Sequence, residues 1–528
     1  MLRPSWRLSR RRFLRLALAL GAAASGGLGT LLPRTTGNRA VAGPEPATRA
    51  ATWTLALHDL APEPGHERDV LISPVWSAPF PFNGVGVRWD LTDGAAGTPL
   101  PFEFRASDGG AWTPWRAAPA LHDFDGTPAP ATDLLLLSGT GLQFRLRRGP
   151  EPAVLRSHPA RIVVTVLDTR AGPTAVEADR TAIPLTPLGY RQAAISNPNL
   201  IGRAGWGANE NYRFRNGKEV WARRYLSVRK IIIHHTVTSN SPPDPAASVR
   251  AIYYYHAVTL GWGDIGYNFL VDHNGRVYEG RAGGTNAQGL PVMGGHALRY
   301  NAGSLGIALL GNFGDSTTPV PDAMWAALAN LVSYKAVQHG IHPTGTDFFV
   351  DKVLPNIMGH RDALATSCPG DAVYARLTAL RQQVLANLPP LGQSWINQQV
   401  PAVMQPGATA AGLVVVRNSG SQPWLRAGAT SVQVGYRWFQ PDGREIQEPG
   451  LSAPSDLPKD VLPGQEVAVP IRIQAPQTPG ALVLNIDLLQ GGRTFFSAAV
   501  GNEPLVVPVT VKSDHQFRID LPWITRTR

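Results

Sequence analysis

Glycine and proline occur often along this chain, and they restrict the folds that it can adopt. The 528 residues include 54 glycines and 47 prolines. Both residue types end helices and form tight turns, so a high content favours many short elements joined by loops over a helical bundle. No periodic repeat is visible. At roughly 100–200 residues per domain, a chain of this length is expected to form about three domains.

The first 42 residues have the pattern of an export signal. A basic region (residues 7–15) precedes an apolar run (residues 16–32), and Ala40-Val41-Ala42 offers small residues at the positions that a signal peptidase recognises. Residues 9–15 resemble a twin-arginine signal, which predicts export to the periplasm, the cell wall or the medium. The alternative is an uncleaved membrane anchor, although the run is short and broken by glycine. No later stretch is apolar enough to span a membrane, so none is expected in the mature form.

The net charge of +11 comes largely from this segment. It carries eight arginines and no acidic residue, so its removal would leave a net charge of +3. Nucleic-acid binding usually requires a clustered basic face. We therefore expect no nucleic-acid partner.

Residues 43–195 are predicted to form a β-sandwich module without helices. Strand-like runs alternate with turn clusters such as Asp108-Gly109-Gly110. The runs lie at residues 52–57, 84–91, 134–137, 142–146 and 161–167. The tryptophans of this module either line a sugar-binding surface or pack within the fold; they are Trp53, Trp76, Trp89, Trp112 and Trp115.

Residues 196–390 are predicted to form an α/β domain, a mixed sheet packed by helices. Strands are expected at residues 230–235, 267–272, 276–279 and 304–310, and helices at residues 245–258, 322–339 and 371–388. Residues 396–513 show alternating strands again and predict an immunoglobulin-like β-sandwich, followed by a tail at residues 514–528. The predicted α/β domain is thus flanked by two predicted β modules.

Cys368 is the single cysteine of the chain. It cannot form an internal disulfide, so it is a buried apolar side chain, a free thiol or a ligand. Because a free thiol is a liability in an oxidising compartment, export favours a ligand or catalytic role.

Two histidine motifs accompany this cysteine. His234 and His235 end an apolar strand, and side chains alternate along a strand, so only one of them should face a common site. His360 follows Gly359, and Cys368 comes eight residues later, before Pro369 and Gly370. A catalytic zinc site needs three protein ligands and one open position. The pattern therefore predicts a zinc site built from one of His234 and His235, together with His360 and Cys368.

Six stretches between residues 201 and 384 resemble the type 2 N-acetylmuramoyl-L-alanine amidases and the peptidoglycan recognition proteins. They occur in the order and spacing of that family. They are Arg203-Ala204-Gly205-Trp206-Gly207, Ile232-Ile233-His234-His235-Thr236, Asp264-Ile265-Gly266-Tyr267-Asn268-Phe269, residues 272–280, Asn301-Ala302-Gly303-Ser304-Leu305-Gly306-Ile307, and Gly359-His360-Arg361-Asp362 with Cys368-Pro369-Gly370.

The resemblance implies Zn²⁺ on His234, His360 and Cys368, with Tyr267 and Thr366 as catalytic residues. Some members have lysine in place of Thr366, whereas threonine is the form in catalytic recognition proteins. Members without the cysteine bind the wall but do not cut it. The expected function is therefore zinc-dependent hydrolysis of the amide between N-acetylmuramic acid and L-alanine in peptidoglycan. The alternative is a recognition protein that binds muropeptide without cutting.

Expected roles can be given for the individual residues around the predicted zinc. Tyr267 is expected to orient water or hold the tetrahedral oxyanion, and Thr366 to donate a hydrogen bond to it; Tyr267 and a zinc hydroxide are both candidates for the general base. His235, His256 and His296 are candidate substrate contacts. For His235 the alternative is a structural partner, and for His256 it is packing. Arg361 and Asp362 are expected to form a local ion pair or to brace their loop.

Overall fold

The computed structural model describes ten parts of the chain. They are residues 48–66, 69–91, 100–118, 121, 131–147, 159–185, 197–286, 289–451, 453–497 and 503–513. The predicted signal segment (residues 1–42) and the predicted tail (residues 514–528) lie outside them. No helix within these ranges has the length and apolar content needed to cross a membrane.

A seven-stranded mixed sheet forms the centre of the α/β domain, and we call it the central sheet. Its strands, in spatial order, are Ile183–Pro184, Asn199–Ile201, Val277–Glu279, Phe269–Val271, Ser304–Leu309, Lys230–His235 and Ile357–Gly359. Lys230–His235 runs parallel to both of its neighbours. The carboxyl ends of these three strands therefore meet at one edge of the sheet, which is where ligands bind in open α/β sheets.

Helices cover both faces of the central sheet. On one face, Ile231 and Ile233 belong to a core that includes residues of the helices Asp322–Gln338 and Leu377–Asn387. On the other face, Leu270 shares a core with residues of the helix Pro245–Tyr254. Because side chains alternate across a strand, a sheet buried on both faces requires strands that are apolar throughout. The predicted mixed sheet packed by helices is confirmed.

Two predicted helices differ from those observed. The α-helix expected over residues 245–258 ends at Tyr254, and Tyr255–Thr259 forms a π-helical turn. The spacing of apolar residues does not distinguish a π turn from an α-helix, because a single turn with i→i+5 hydrogen bonds changes that spacing only slightly. The helix expected over residues 371–388 is divided into Asp371–Tyr374 and Leu377–Asn387.

Ala175–Asp179 is an α-helix in the module for which no helix was predicted. Thr174 accepts a hydrogen bond from the backbone of Glu177, and the Glu177 carboxylate accepts one from the backbone of Thr174. This Thr-x-x-Glu capping box was a usable signal in the sequence.

The N-terminal residues form two sheets with a shared core. Strands Arg49–Leu55, Pro159–Asp168 and Gly84–Leu91 form the first sheet; the second contains Ala61–Pro62, Val70–Ile72, Trp76–Phe82, Gly139–Arg147, Phe102–Ser107 and Arg116–Ala117. The expected strand at residues 134–137 was wrong, because Leu135 makes only an isolated bridge with Val85. Trp89 is buried in the shared core, and Trp53 stacks on Trp76. A β-sandwich assignment stays a prediction.

The C-terminal residues also form two sheets. The first contains Gln393–Gln399, Thr409–Asn418 and Glu466–Gln474; the second contains Val403–Met404, Leu505–Val511, Gly480–Gln490, Val432–Phe439, Glu445–Ile446, Ser455–Asp456 and Thr494–Phe495. Val414, Val469 and Leu484 join one apolar core between them. The immunoglobulin-like assignment stays a prediction.

Short elements complete the described structure. Two hairpins and three short helices remain: Phe214–Arg215 with Lys218–Glu219, Thr346–Phe349 with Lys352–Pro355, Leu57–Asp59, Glu210–Arg213 and His360–Ala363.

Candidate metal centre

His234 lies at the carboxyl end of the strand Lys230–His235 and is fully buried. The imidazole of the next residue, His235, points elsewhere: its Nδ1 accepts a hydrogen bond of 3.2 Å from the backbone N–H of Phe313. The alternation of side chains along a strand produces this division. The first histidine of the pair is therefore the one that contributes to the cluster.

His360 follows directly after the strand Ile357–Gly359, which runs parallel to Lys230–His235. Its imidazole consequently lies at the same edge of the sheet, with ring centroids of His234 and His360 4.5 Å apart. The loop after His360 returns to bring Cys368 Sγ to 3.7 Å from Nδ1 of His234. One ligand atom from each of these three buried residues lies within 4.8 Å of the others.

Arg361 and Asp362 brace the loop that carries Cys368. The backbone N–H of Arg361 donates to the carbonyl of Cys368 at 2.9 Å, and its guanidinium donates to Asp371 at 2.7 Å. Asp362 accepts a hydrogen bond of 2.9 Å from the backbone N–H of Gly359. The two residues thus act as a loop brace through separate partners, which is one of the two expected arrangements.

The three donors fit a zinc ion. With Zn–N near 2.0 Å and Zn–S near 2.3 Å, tetrahedral coordination places a nitrogen and a sulfur ligand about 3.5 Å apart. The observed 3.7 Å between His234 Nδ1 and Cys368 Sγ agrees with this spacing. Burial, together with the neighbouring His360 and His296, lowers the pKa of His234 well below its usual value. The imidazole is therefore neutral at neutral pH, as a metal ligand must be.

His296 contacts the ring of His234 through the ring nitrogen that does not face Cys368. Its Nδ1 lies 3.1 Å from Nε2 of His234. Because Nδ1 of His234 faces the thiol, Nε2 is the atom left to donate a proton to His296. Burial lowers the pKa of His296 to about 3, so it stays a neutral acceptor.

Two residues of the motif at residues 301–307, for which no individual role was predicted, position His296. The side-chain carbonyl of Asn301 accepts hydrogen bonds of 2.8 Å from the backbone N–H groups of His296 and Ala297. A Cβ atom at Gly306 would lie 2.3 Å from the His296 ring. Glycine inside a strand often marks such a close approach, so Gly306 was a detectable signal.

We expect replacement of His296 by alanine to weaken zinc binding by roughly 10–100-fold, the usual effect of removing a group that orients a ligating histidine. Competition with a chromophoric chelator measures the affinity. His296→Gln keeps a hydrogen-bond acceptor and should recover part of the zinc affinity. The side chain of His58 is exposed to solvent, so His58→Ala should leave the affinity unchanged. Unchanged affinity in His296→Ala would contradict this orienting role.

The remaining predicted residues lie around this cluster. The ring of Tyr267 lies 5.4 Å from that of His234, and the ring of His256 lies 5.8 Å from Tyr267. His256 packs against Trp262 and accepts a hydrogen bond of 3.2 Å from the backbone N–H of Gly266. The Thr366 hydroxyl accepts one of 3.2 Å from the backbone N–H of Cys368.

A buried charge network supports the loop that carries Tyr267. Asp264 is completely buried and contacts the guanidinium groups of Arg281 at 2.6 Å, Arg203 at 3.1 Å and Arg213 at 3.5 Å. The backbone N–H of Arg281 donates to the carbonyl of Tyr267 at 2.8 Å. This network was not predicted, because its members come from separate segments of the chain and meet only in the folded structure.

Known proteins resemble part of this chain. The family model described as N-acetylmuramoyl-L-alanine amidase matches residues 224–371. Peptidoglycan-recognition protein SC2 of Drosophila melanogaster is 34% identical over 199 residues, which cover 37% of this chain and 94% of that protein. An N-acetylmuramoyl-L-alanine amidase of Homo sapiens is 32% identical over 192 residues, which cover 35% of this chain and 29% of the human protein.

Among solved structures, wild-type Drosophila PGRP-LB is similar, with 29% identity over 34% of this chain and 92% of that chain and a TM-score of 0.27. Both the amidase name and the recognition-protein name occur among the sequence relatives. The ordered motifs, the matched family model and the relative aligned over nearly its whole length agree. This chain belongs to the family of type 2 N-acetylmuramoyl-L-alanine amidases and peptidoglycan recognition proteins.

Proposed function

We propose that this protein is a zinc-dependent amidase that hydrolyses the bond between N-acetylmuramic acid and L-alanine in peptidoglycan. The family includes proteins named for recognition as well as for cleavage, so membership alone does not distinguish an amidase from a protein that only binds peptidoglycan. The observation that carries the proposal is the convergence of His234, His360 and Cys368, whose ligand atoms lie within 4.8 Å of one another. A protein that only binds muropeptide has no need of a thiolate in this set.

Zinc bound by these residues would polarise the amide carbonyl and lower the pKa of a coordinated water. The protein's own groups would then orient and stabilise. Tyr267, beside His234, is placed to orient the attacking water or to hold the oxyanion. The Thr366 hydroxyl already accepts from the Cys368 amide, so its proton remains to be donated to the same oxyanion. One such donor typically contributes on the order of 3 kcal/mol to lowering the barrier.

His235 supports the thiolate through its backbone. Its N–H lies 3.4 Å from Cys368 Sγ, which favours the charged form of the sulfur. Its imidazole has a pKa lowered to about 4 by burial and by the nearby Arg361. His235 is therefore neutral at neutral pH and adds no competing charge to the site.

The protein is also proposed to be exported and to act on the cell wall. The signal-like residues 1–42 support export, with the twin-arginine route as the specific expectation. The substrate would be the muropeptide of the cell wall. The flanking regions, residues 43–195 and 396–513, are proposed to be β-sandwich modules, the second of them immunoglobulin-like.

Mass spectrometry of digested sacculi tests the proposed reaction. We expect free stem peptides that begin with the amino group of L-alanine, and glycan strands that retain the lactyl carboxylate. Treatment with a chelator should stop their release, and added Zn²⁺ should restore it while Mg²⁺ should not. Sacculus binding without these products would mean that the protein is a recognition protein, and the proposed activity would be rejected.

A further inference from the structure

The N-terminal sheets are packed directly against the helix that leads into the proposed site. The amidase family model begins at residue 224, so these sheets lie outside it. Arg250, which is almost fully buried on the helix Pro245–Tyr254, donates to the carbonyls of Thr169 at 2.8 Å and Pro173 at 2.7 Å. The Thr169 hydroxyl donates to the carbonyl of Ala247 at 2.8 Å. Polar groups on both sides of the contact are therefore paired with each other.

An apolar core also runs across this contact. Leu134 and Leu167 from the N-terminal region belong to the same cluster as Val249 and Ile252 of the helix. The cluster continues to Tyr267 beside the metal ligands. A core that is shared in this way behaves as one packed unit, which transmits a displacement at one point to its neighbours.

Tyr255, the first residue of the π-helical turn, is the point of closest attachment. Its side chain is fully buried, and its hydroxyl lies 2.7 Å from the carbonyl of Thr132 and 3.4 Å from that of Val87. Both carbonyls belong to the N-terminal region. A hydroxyl has one proton, so the shorter contact with Thr132 is the hydrogen bond.

Gly86 makes room for this ring. It lies within the strand Gly84–Leu91, and a Cβ atom added there would lie 2.2 Å from Cε2 of Tyr255. The backbone of Gly86 has no positive φ that would require glycine. The requirement for glycine at this position is therefore set by the tyrosine ring and not by the backbone conformation.

The residue after Tyr255 is His256, whose ring lies near Tyr267 of the proposed site. Successive residues of one helical turn have fixed relative directions, so a turn held by Tyr255 also sets the direction of His256. The His256 ring packs between Trp262, at 4.6 Å, and Tyr267, at 5.8 Å. Turns of the π type often occur at functional sites.

We propose that the N-terminal β region is a positioning element of the amidase site, which acts through Tyr255 on His256 and the wall that His256 forms with Tyr267. Tyr255 and Gly86 are positioning residues in this view and do not touch the substrate. The inference rests on the proposed function for its readout, because the site wall matters only if it contacts muropeptide.

The test uses the full, zinc-loaded chain with an N-acetylmuramoyl tripeptide as substrate. Gly86→Ala should displace the turn and lower kcat/KM by roughly 10–100-fold without loss of zinc, because small displacements of positioning groups have effects of this size. Gly84→Ala is the matched control on the same strand, since its Cβ atom would come no closer than 3.4 Å to another atom. Tyr255→Phe, which keeps the ring, should lower kcat/KM by about fivefold through loss of one hydrogen bond.

A double-variant comparison separates positioning from general destabilisation. If Tyr255 acts through His256, Gly86→Ala combined with His256→Ala should lose no more kcat/KM than His256→Ala alone. Hydrogen exchange of residues 255–259 should be faster in Gly86→Ala and unchanged in Gly84→Ala. Additive losses, or unaltered exchange in Gly86→Ala, would overturn the inference.

Failure of the proposed function would appear in the wild type instead. If the wild-type protein binds the tripeptide without cutting it, the Kd of the tripeptide, measured by calorimetry, would replace kcat/KM in the comparison of variants. Gly86→Ala combined with His256→Ala should then weaken binding no more than His256→Ala alone. A wild type that neither binds nor cuts would end the proposed function, and hydrogen exchange would still decide whether the N-terminal region holds the turn.

Discussion

Replacement of Cys368 by serine is expected to lower the rate of peptide release from sacculi by at least about 10³-fold. The bound metal would lower the barrier by several kcal/mol, and each 1.36 kcal/mol corresponds to a tenfold change in rate. A serine hydroxyl stays protonated at neutral pH and cannot replace a thiolate, so the ion loses one of its three protein ligands. Zinc content, measured by atomic emission, should fall together with activity.

The controls for this prediction use the neighbourhood of Cys368. Ser367→Ala alters an exposed side chain one residue away and should leave zinc content and rate unchanged. Circular dichroism should show that Cys368→Ser keeps the fold, because the central core does not depend on the sulfur. Undiminished peptide release by Cys368→Ser would falsify the assignment of the cysteine as a catalytic metal ligand.

Replacement of Asp264 by asparagine is expected to lower the free energy of unfolding of the α/β domain by about 3–5 kcal/mol. The change keeps the size of the side chain but removes the charge that faces Arg203, Arg213 and Arg281. Removing one member of a buried ion network leaves uncompensated charge in a low-dielectric interior, and this is the effect that costs most. Urea unfolding followed by tryptophan fluorescence measures the loss.

A half-exposed ion pair provides the control. Asp90 lies 3.8 Å from Arg161, and both side chains are about half exposed. Asp90→Asn should change stability by no more than about 1 kcal/mol, the range of surface pairs. If Asp264→Asn lowered the free energy of unfolding no more than Asp90→Asn, the network would not contribute to the stability of the domain. We also expect Asp264→Asn to reduce activity, because Arg281 donates to the carbonyl of Tyr267.

Much of the α/β domain could be predicted from local patterns. The strand Lys230–His235 contains the apolar run Ile231-Ile232-Ile233 and was predicted with its observed ends. The strand Ile357–Gly359 was missed because three residues are too few to establish a period. The turn Tyr255–Thr259 was predicted as ordinary helix as far as Val258, because a π turn hardly changes the apolar spacing along the sequence.

The candidate metal ligands can be identified from the sequence alone. A single cysteine in a chain with a predicted export signal, and two histidine motifs in a family-like order, suffice because ligand chemistry is a property of residue type. Strand alternation predicts that only one imidazole of the 234–235 pair faces inward, and the family resemblance identifies it as His234.

The support for the site required the three-dimensional arrangement. His296 behind His234, Asp264 among three arginines and Tyr255 against Gly86 each join residues that are far apart in the chain. No local pattern encodes such a contact, because it depends on how sheets and helices pack and on which side chains then share a buried space. The sequence therefore names the atoms that would bind zinc, whereas tertiary packing determines how rigidly they and the wall around them are held.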